Sequence, residues 1–112
     1  TIVNKENTFE RLRRIQDNVG KGNYRLSIHA ECEREADQVT KDELEESLLS
    51  SQAEIIEDYP NDNRGPSCLI LGFTSQGKPL HVVIGLIDQM VIITVYRPAL
   101  NEWTNWRERR GG

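Results

Sequence analysis

The sequence has no long hydrophobic run and no recognisable export signal. Its longest apolar stretch is Val82–Ile87, far short of the roughly 20 residues that a membrane-spanning helix requires. The first seven residues lack the charged start and apolar segment of a secretory signal. We therefore expect no association with membranes and a cytoplasmic location.

Cysteine and histidine are also scarce. The chain has two cysteines, Cys32 and Cys68, two histidines, and no C-x-x-C pair. A zinc site needs several such ligands at close spacing, so we expect neither a metal nor any other cofactor. One disulfide could form if the fold brings the two cysteines together. Two small buried thiols are the favoured interpretation in a cytosolic chain.

Positive charge is in deficit, and it is unevenly distributed. The chain has 14 Lys and Arg against 18 Asp and Glu, a net charge of -4, which argues against non-specific coating of nucleic acid. Residues 31–62 carry twelve acids against two bases, whereas both chain ends are basic. If the two ends meet on one face, that face could hold an anion such as an RNA phosphate; an ordinary solvated surface is the alternative.

Helical spacing and capping signals predict three helices in the first half of the chain. They are a stretch from about Thr8 to Val19, a stretch capped by Ser27 that ends near Asp37, and a stretch that begins at the capping box formed by Thr40 and Glu43. The acids of the second stretch, Glu31, Glu33, Glu35 and Asp37, are distributed around the helix, so we expect a solvated face.

The second half of the chain has the pattern of β-strands. Four apolar runs are separated by short polar turns, at residues 53–59, 68–73, 80–87 and 91–96. After Pro98, the spacing of Leu100, Trp103 and Trp106 suggests a short helical tail whose indoles pack back on the domain. The prediction is a single α+β domain over residues 1–112, with N-terminal helices packed on a four-stranded antiparallel meander and a short C-terminal helical tail.

The two histidines are the first candidates for chemistry. His29 lies at a predicted helix start, where free backbone N–H groups favour an anion, and His81 opens an apolar strand. Two imidazoles could share general base and general acid work near neutral pH. The alternative is that each merely hydrogen-bonds a backbone carbonyl.

Tyrosines and arginines near strand ends and in the tail are candidates for binding RNA. Guanidinium groups match phosphate oxygens, although a basic C-terminus is common. The candidates are Tyr59, Tyr96, Arg97, Arg107, Arg109 and Arg110. Cys68 begins an apolar run and is expected in the core rather than as a nucleophile.

Several short motifs together resemble a family of small prokaryotic domains of unknown function. The motifs are Ser27–Ala30, Glu57–Pro60, Gly65–Leu69, Pro79–Val83, Ile93–Pro98 and Trp103–Arg107, and the resemblance runs from about Tyr24 to Arg110. That family is similar to the RelE-like toxins and to the wider barnase, EndoU, colicin and RelE group of metal-independent ribonucleases. Its members are often encoded beside a zinc-finger antitoxin of the YgiT or MqsA type.

The resemblance implies a RelE-like fold and a set of catalytic residues. Those matching the family's motifs are His29, His81, Tyr96 and Arg107. In such a site one histidine deprotonates a ribose 2'-OH, the other protonates the leaving 5'-oxygen, and Arg and Tyr stabilise the phosphorane.

Two functions of different classes follow. The first is the toxin of a toxin–antitoxin system, a metal-independent endoribonuclease that acts on messenger RNA or ribosome-bound RNA and is silenced by a protein antitoxin. The second is a non-catalytic protein-interaction module of the same fold. Two histidines far apart without a shared cleft would count against concerted catalysis by the pair.

Overall fold

The computed structural model describes residues 5–63 and 65–110. The remaining residues of the predicted 1–112 domain lie outside the described part. The described chain folds into three helices, α1 (Lys5–Gly20), α2 (Ile28–Ala36) and α3 (Lys41–Leu49). It also forms seven strands, β1 (Arg25–Leu26), β2 (Glu54–Tyr59), β3 (Ser67–Phe73), β4 (Pro79–Gly85), β5 (Val91–Tyr96), β6 (Trp103–Thr104) and β7 (Glu108–Arg109).

The three predicted helices are confirmed, together with two of their start signals. The Ser27 hydroxyl accepts a hydrogen bond from the backbone N–H of Ala30 and so caps α2. Thr40 and Glu43 form the predicted capping box at the start of α3. These contacts satisfy backbone donors that the first helical turn leaves without a partner.

The main sheet contains the four predicted strands and one more. Its order is β1-β5-β4-β3-β2, in which β2 to β5 form the expected antiparallel meander. The short strand β1 pairs with β5 in parallel, with Arg25 opposite Val91 and Leu26 opposite Ile92. The prediction of a four-stranded, purely antiparallel sheet is therefore wrong, because two residues are too few to show a strand period in the sequence.

The core lies between the helices and one face of this sheet. Its fully buried side chains include Ile15 of α1, Leu48 of α3, and Val82 and Ile84 of β4. The helix α3 approaches β3 so closely at Gly72 that a Cβ there would lie 2.1 Å from the carbonyl oxygen of Ser47. Only glycine fits between these two elements without displacing backbone.

The helix α2 runs beside the edge of β5 and completes its hydrogen bonding. The Ser27 hydroxyl donates to the carbonyl of Ile93, Glu33 Oε1 accepts the N–H of Val95, and Asp37 Oδ2 accepts the N–H of Arg97. The prediction that the α2 acids form a solvated face is therefore wrong for Glu33 and Asp37. They pair backbone groups that an edge strand otherwise exposes to solvent or to another chain.

The C-terminal segment is a β-hairpin, so the predicted helical tail is wrong. The strands β6 and β7 pair antiparallel, with Trp103 opposite Arg109. Asn105 and Trp106 in the connecting turn have φ values of 51° and 66°, which a right-handed helix does not allow. Trp103 packs back on the domain as expected and is 3% exposed.

The two cysteines have different surroundings, and both are free. Cys68 is buried, as predicted, and burial raises the pKa of its thiol to about 11. Cys32 is exposed, so the prediction of two buried thiols is wrong for Cys32. In the described part of the chain, we find no helix with the length and hydrophobicity needed to cross a membrane.

Candidate functional site

The basic chain ends converge on an acidic strand. On β2, Asp58 forms two hydrogen bonds with Arg11 of α1, at 3.0 and 3.1 Å. Arg107 and Arg109 of the C-terminal hairpin pair with Glu54 and Glu57 of the same strand, at 2.7 and 3.0 Å. The charge asymmetry of the sequence is thus used within the fold, as the basic ends neutralise part of the acidic middle.

The remaining tail arginine is also engaged. Arg110 donates from Nε to the carbonyl oxygens of Leu100 and Trp103 and so closes the hairpin on itself. The three tail arginines predicted to bind or stabilise RNA phosphates therefore each have a partner inside the chain.

His81 lies on the sheet face opposite the helices, fully buried under the hairpin. Its Nε2 lies 2.7 Å from the carbonyl oxygen of Trp106, and its Nδ1 lies 3.0 Å from the hydroxyl of Tyr96. Because a carbonyl only accepts, Nε2 carries the proton and Nδ1 accepts from Tyr96. The indole of Trp103 meets the imidazole edge-on, at 4.4 Å between centroids.

Burial sets the protonation of this cluster. It lowers the pKa of His81 to about 4, against the smaller opposing effect of the Trp106 carbonyl. It also raises the pKa of Tyr96 to about 12. At neutral pH, His81 is an uncharged imidazole with both nitrogens occupied, which suits an anchor for the hairpin better than a proton carrier.

Tyr59 joins the same cluster through Glu57. Its hydroxyl donates to Glu57, and burial together with this hydrogen bond raises its pKa to about 12. Burial opposes ionisation of Glu57, but hydrogen bonds from Arg109 and Tyr59 hold its pKa below the usual value. The Arg109 guanidinium also lies 4.7 Å from the ring centroid of Trp103, a cation–π contact.

Arg97 follows β5 and lies on the side of that strand opposite His81 and Tyr96. Its side chain connects the end of β5 with α2 and α3. It donates from Nε to the carbonyl of Asp37 and from Nη2 to the carbonyl of Gln38, at the end of α2. Its Nη2 also lies 3.3 Å from both carboxylate oxygens of Glu43 in α3. A cation at a helix C-terminus is favourable, so the geometry assigns Arg97 a structural contact in addition to its predicted role in RNA binding.

His29 lines a cleft of about 310 Å³ at the N-terminal end of α2, which we call the His29 cleft. Its other lining residues are Arg25, Ser27, Pro66, Gly85, Ile87, Gln89, Val91 and Ile93. Among the lining residues that the structure describes, Arg25 and His29 carry basic side chains and none is acidic. A cleft of this composition in an acidic chain is complementary to an anion.

The His29 side chain is 66% exposed and has a carboxylate partner one helical turn away. Its Nε2 lies 3.3 Å from Oε1 of Glu33, and the same oxygen accepts the backbone N–H of Val95 at 3.1 Å. The sheet edge thereby holds the carboxylate that orients the imidazole. A carboxylate–imidazole pair at the mouth of a cleft can support general acid–base chemistry.

The structure does not bring the two predicted catalytic histidines together. His29 contacts Glu33 and lines its cleft, whereas His81 contacts Tyr96, Trp103 and the carbonyl of Trp106, and in the described part of the chain the two sets do not overlap. It does bring His81 and Tyr96 into contact, with Tyr59 and Arg109 in the same cluster.

Sequence reasoning missed Glu33 and Arg25 as members of a site. The position of Glu33, four residues after His29, is the spacing at which helical side chains meet, and could have identified it. No comparable signal marks Arg25, because its place beside His29 depends on the pairing of β1 with β5.

Comparison with known proteins identifies a family. No curated protein and no solved structure matches the chain. Residues 26–97, which include α2, α3, the meander and both histidines, match the family model described as "Domain of unknown function (DUF4258)". The C-terminal hairpin lies beyond the matched residues. Since this match spans more than half of the chain, the protein belongs to the DUF4258 family.

Proposed function

We propose that this domain is the toxin of a toxin–antitoxin system and cleaves RNA without a metal at the His29 cleft. The observation that carries the proposal is the charge of the cleft. In a chain of net charge -4, the ionisable groups among its described lining residues are Arg25 and His29. The phosphodiester of a single RNA strand is an anion that Arg25 could bind and whose cleavage His29 could catalyse.

The proposed reaction is an attack of the ribose 2'-oxygen on the adjacent phosphorus. Glu33 accepts a hydrogen bond from Nε2–H of His29, which fixes the tautomer and leaves Nδ1 free to take the proton of the 2'-hydroxyl. The bond between the 2'-oxygen and phosphorus forms, and the bond to the 5'-oxygen breaks. Arg25 stabilises the extra negative charge of the phosphorane.

A single imidazole distinguishes this scheme from the two-histidine scheme. Among the residues that the structure describes, the lining of the cleft includes no second imidazole and no carboxylic acid, so water protonates the departing 5'-oxygen. The hydroxide left behind takes the proton held by His29, which returns the imidazole to its neutral form. The products are a 2',3'-cyclic phosphate and a 5'-hydroxyl. In this scheme His81 and Tyr96 hold the hairpin and do not touch RNA.

A RelE-like origin and a zinc-finger antitoxin remain part of the proposal. An antitoxin covering the His29 cleft would block RNA and would meet apolar side chains at its rim. Ile28 is 85% exposed and Ile87 is 53% exposed, although side chains of this kind are usually buried.

The same two isoleucines favour the second candidate, a non-catalytic module that binds a partner protein through this surface. Function belongs to the site and not to the fold, so the two candidates must be separated by measuring cleavage.

The test is an RNA cleavage assay with purified protein, on free RNA and on RNA in translating ribosomes. We expect new 2',3'-cyclic phosphate ends with the wild type, and a loss of at least a hundredfold in rate with His29→Gln, which is the usual contribution of a general base. Arg25→Ala should slow cleavage, whereas Arg13→Ala, at a second exposed arginine that lies over Phe9 on α1, should not.

Two results would contradict the proposal that the domain is a nuclease. One is intact RNA in both assays with folded wild type. The other is unchanged cleavage in His29→Gln. Induced expression supplies the cellular counterpart, because a toxin arrests growth in the wild type and not in the His29→Gln variant.

A further inference from the structure

A second cleft, of about 510 Å³, lies at the other end of α2 from the His29 cleft. We call it the Trp106 cleft. It is formed by the end of α2, the turn that precedes β4, the end of β5 and the C-terminal hairpin, and its lining residues include Lys78, Arg97 and Trp106. Its volume is within the range of small-molecule sites, roughly 300–1,000 Å³.

Trp106 lines this cleft from a constrained backbone. Its φ of 66° is unusual for a bulky residue, and such a conformation persists only where surrounding contacts impose it. One of these contacts is the hydrogen bond from His81 Nε2 to the Trp106 carbonyl. Unlike Trp103, which packs on His81 and Arg109, Trp106 makes no ring or cation–π contact with the residues that the structure describes. Trp106 is half-buried, and its indole is the aromatic group in the described lining of the cleft on which a planar ring could stack.

Two donor atoms of the cleft, Nζ of Lys78 and Nη1 of Arg97, lack partners among the described residues. Lys78 is exposed in the turn before β4, and its ammonium forms no ion pair within residues 5–63 and 65–110. Nη1 of Arg97 is buried and has no hydrogen-bond partner. Buried polar atoms are nearly always hydrogen-bonded, so a free donor of this kind indicates a missing acceptor.

Two carboxylates also line the cleft, but they are already engaged. Glu43 accepts the N–H of Thr40 and contacts Nη2 of Arg97 with both oxygens. Asp37 accepts the backbone N–H of Arg97. The formal charges of Asp37, Glu43, Lys78 and Arg97 cancel, yet the groups left without partners are hydrogen-bond donors, which favours an anionic ligand over a cation.

We propose that the Trp106 cleft binds a nucleotide, with the base stacked on the indole of Trp106 and the phosphate held by Lys78. Base–aromatic stacking and a lysine–phosphate contact are the two interactions that this pairing of residues offers. The nucleotide is either a free mononucleotide or one residue of a single RNA strand. The site is separate from the His29 cleft and does not depend on cleavage at His29.

The test follows the two indole N–H signals of the chain by NMR during a titration of the ¹⁵N-labelled protein. Trp106→Phe assigns the signals. We expect AMP to shift the Trp106 signal and to leave that of Trp103 in place, adenosine to bind about tenfold more weakly, and inorganic phosphate to leave the Trp106 signal unmoved.

Substitutions then distinguish the contribution of the Trp106 ring to AMP binding from that of the Lys78 charge. Lys78→Ala should weaken AMP binding about tenfold, the usual effect of losing a charged hydrogen bond, whereas Lys21→Ala, at an exposed lysine after α1, should not. Trp106→Phe should retain binding and Trp106→Ala should lose it, as followed by the backbone amide signals of the cleft residues in the same ¹⁵N spectra. The His29→Gln variant should bind AMP as the wild type does, so that failure at one cleft is distinguishable from failure at the other.

A titration with an RNA hexanucleotide shows whether the bound nucleotide is free or part of an RNA strand. Affinity more than tenfold above that of AMP identifies an RNA strand, and equal affinity identifies the free nucleotide. The proposal is overturned if neither ligand at millimolar concentration shifts the Trp106 signal, or if Lys78→Ala and Lys21→Ala bind AMP equally well.

Discussion

The buried His81 makes a quantitative prediction about stability and pH. Its pKa lies near 4 in the folded chain, against about 6.5 when unfolded. Between these values the unfolded state binds a proton that the folded state excludes, so stability falls as the pH falls. A difference of this size corresponds to about 3 kcal/mol in total, with roughly 2 kcal/mol lost between pH 7 and pH 4.5.

The perturbation that isolates this effect is His81→Gln, which replaces the imidazole by a polar group that does not titrate. Urea unfolding at pH 7 and at pH 4.5 supplies the free energy of unfolding of both proteins. Carboxylates such as Glu43 and Glu57, whose pKa values lie below the usual range, also weaken the fold on acidification. Glu43 acts equally in both proteins, whereas the pKa of Glu57 is also lowered slightly by His81. The difference between the two pH-dependent losses therefore reports His81 together with this small effect on Glu57.

We expect the wild type to lose roughly 2 kcal/mol more than the variant over this range. The variant should be less stable at pH 7, because one partner of the His81 hydrogen bonds is left unsatisfied, at a cost of about 1–3 kcal/mol. Equal losses in the two proteins would refute the reasoning. An imidazole signal of His81 that titrates above pH 6 in the folded protein, identified by NMR with the His29→Gln variant, would refute it independently.

Three further predictions concern the core, a helix cap and the thiols. Gly72→Ala should destabilise the fold by at least about 2 kcal/mol in urea unfolding, because the new methyl group meets the carbonyl of Ser47; an unchanged midpoint would contradict the close approach. Thr40→Ala should cost about 1 kcal/mol in the same assay and Thr40→Ser much less, since serine keeps the capping oxygen. A thiol reagent should modify Cys32 at once and Cys68 only on unfolding, because Cys68 is buried with a raised pKa; two fast thiols in the native protein would contradict this.

The elements that sequence reasoning located have local signals. Ser27, Thr40 and Glu43 announce helix starts through contacts three residues away, and the meander shows itself through apolar runs and short turns. The period of two in β4 likewise follows from neighbouring residues: Leu80 and Val82 lie on the core face and His81 on the other face. A capping box or a strand period depends only on neighbouring residues, so the sequence displays it without knowledge of the fold.

The wrong predictions concern segments whose structure depends on contacts between residues far apart in the sequence. The parallel contact of β1 with β5 joins residues more than sixty positions apart. The spacing of Trp103 and Trp106 fits a helical face, but the left-handed backbone of Asn105 and Trp106 turns the segment into a hairpin. The left-handed conformation of Asn105 and Trp106 could not be predicted from their residue types, because contacts with His81 and β2 hold it in place.

The candidate site divides in the same way. Local sequence was sufficient to place His29 at the start of a helix, to set His81 in an apolar strand and to reveal basic chain ends around an acidic middle. Only the tertiary structure decided that Arg107 and Arg109 pair with β2, that His81 is sealed under Trp103, and that Arg25 and Glu33 stand beside His29. The reason is physical: the availability of a charge or an imidazole depends on what the fold packs against it, whereas its position in a helix or strand depends on the residues next to it in the chain.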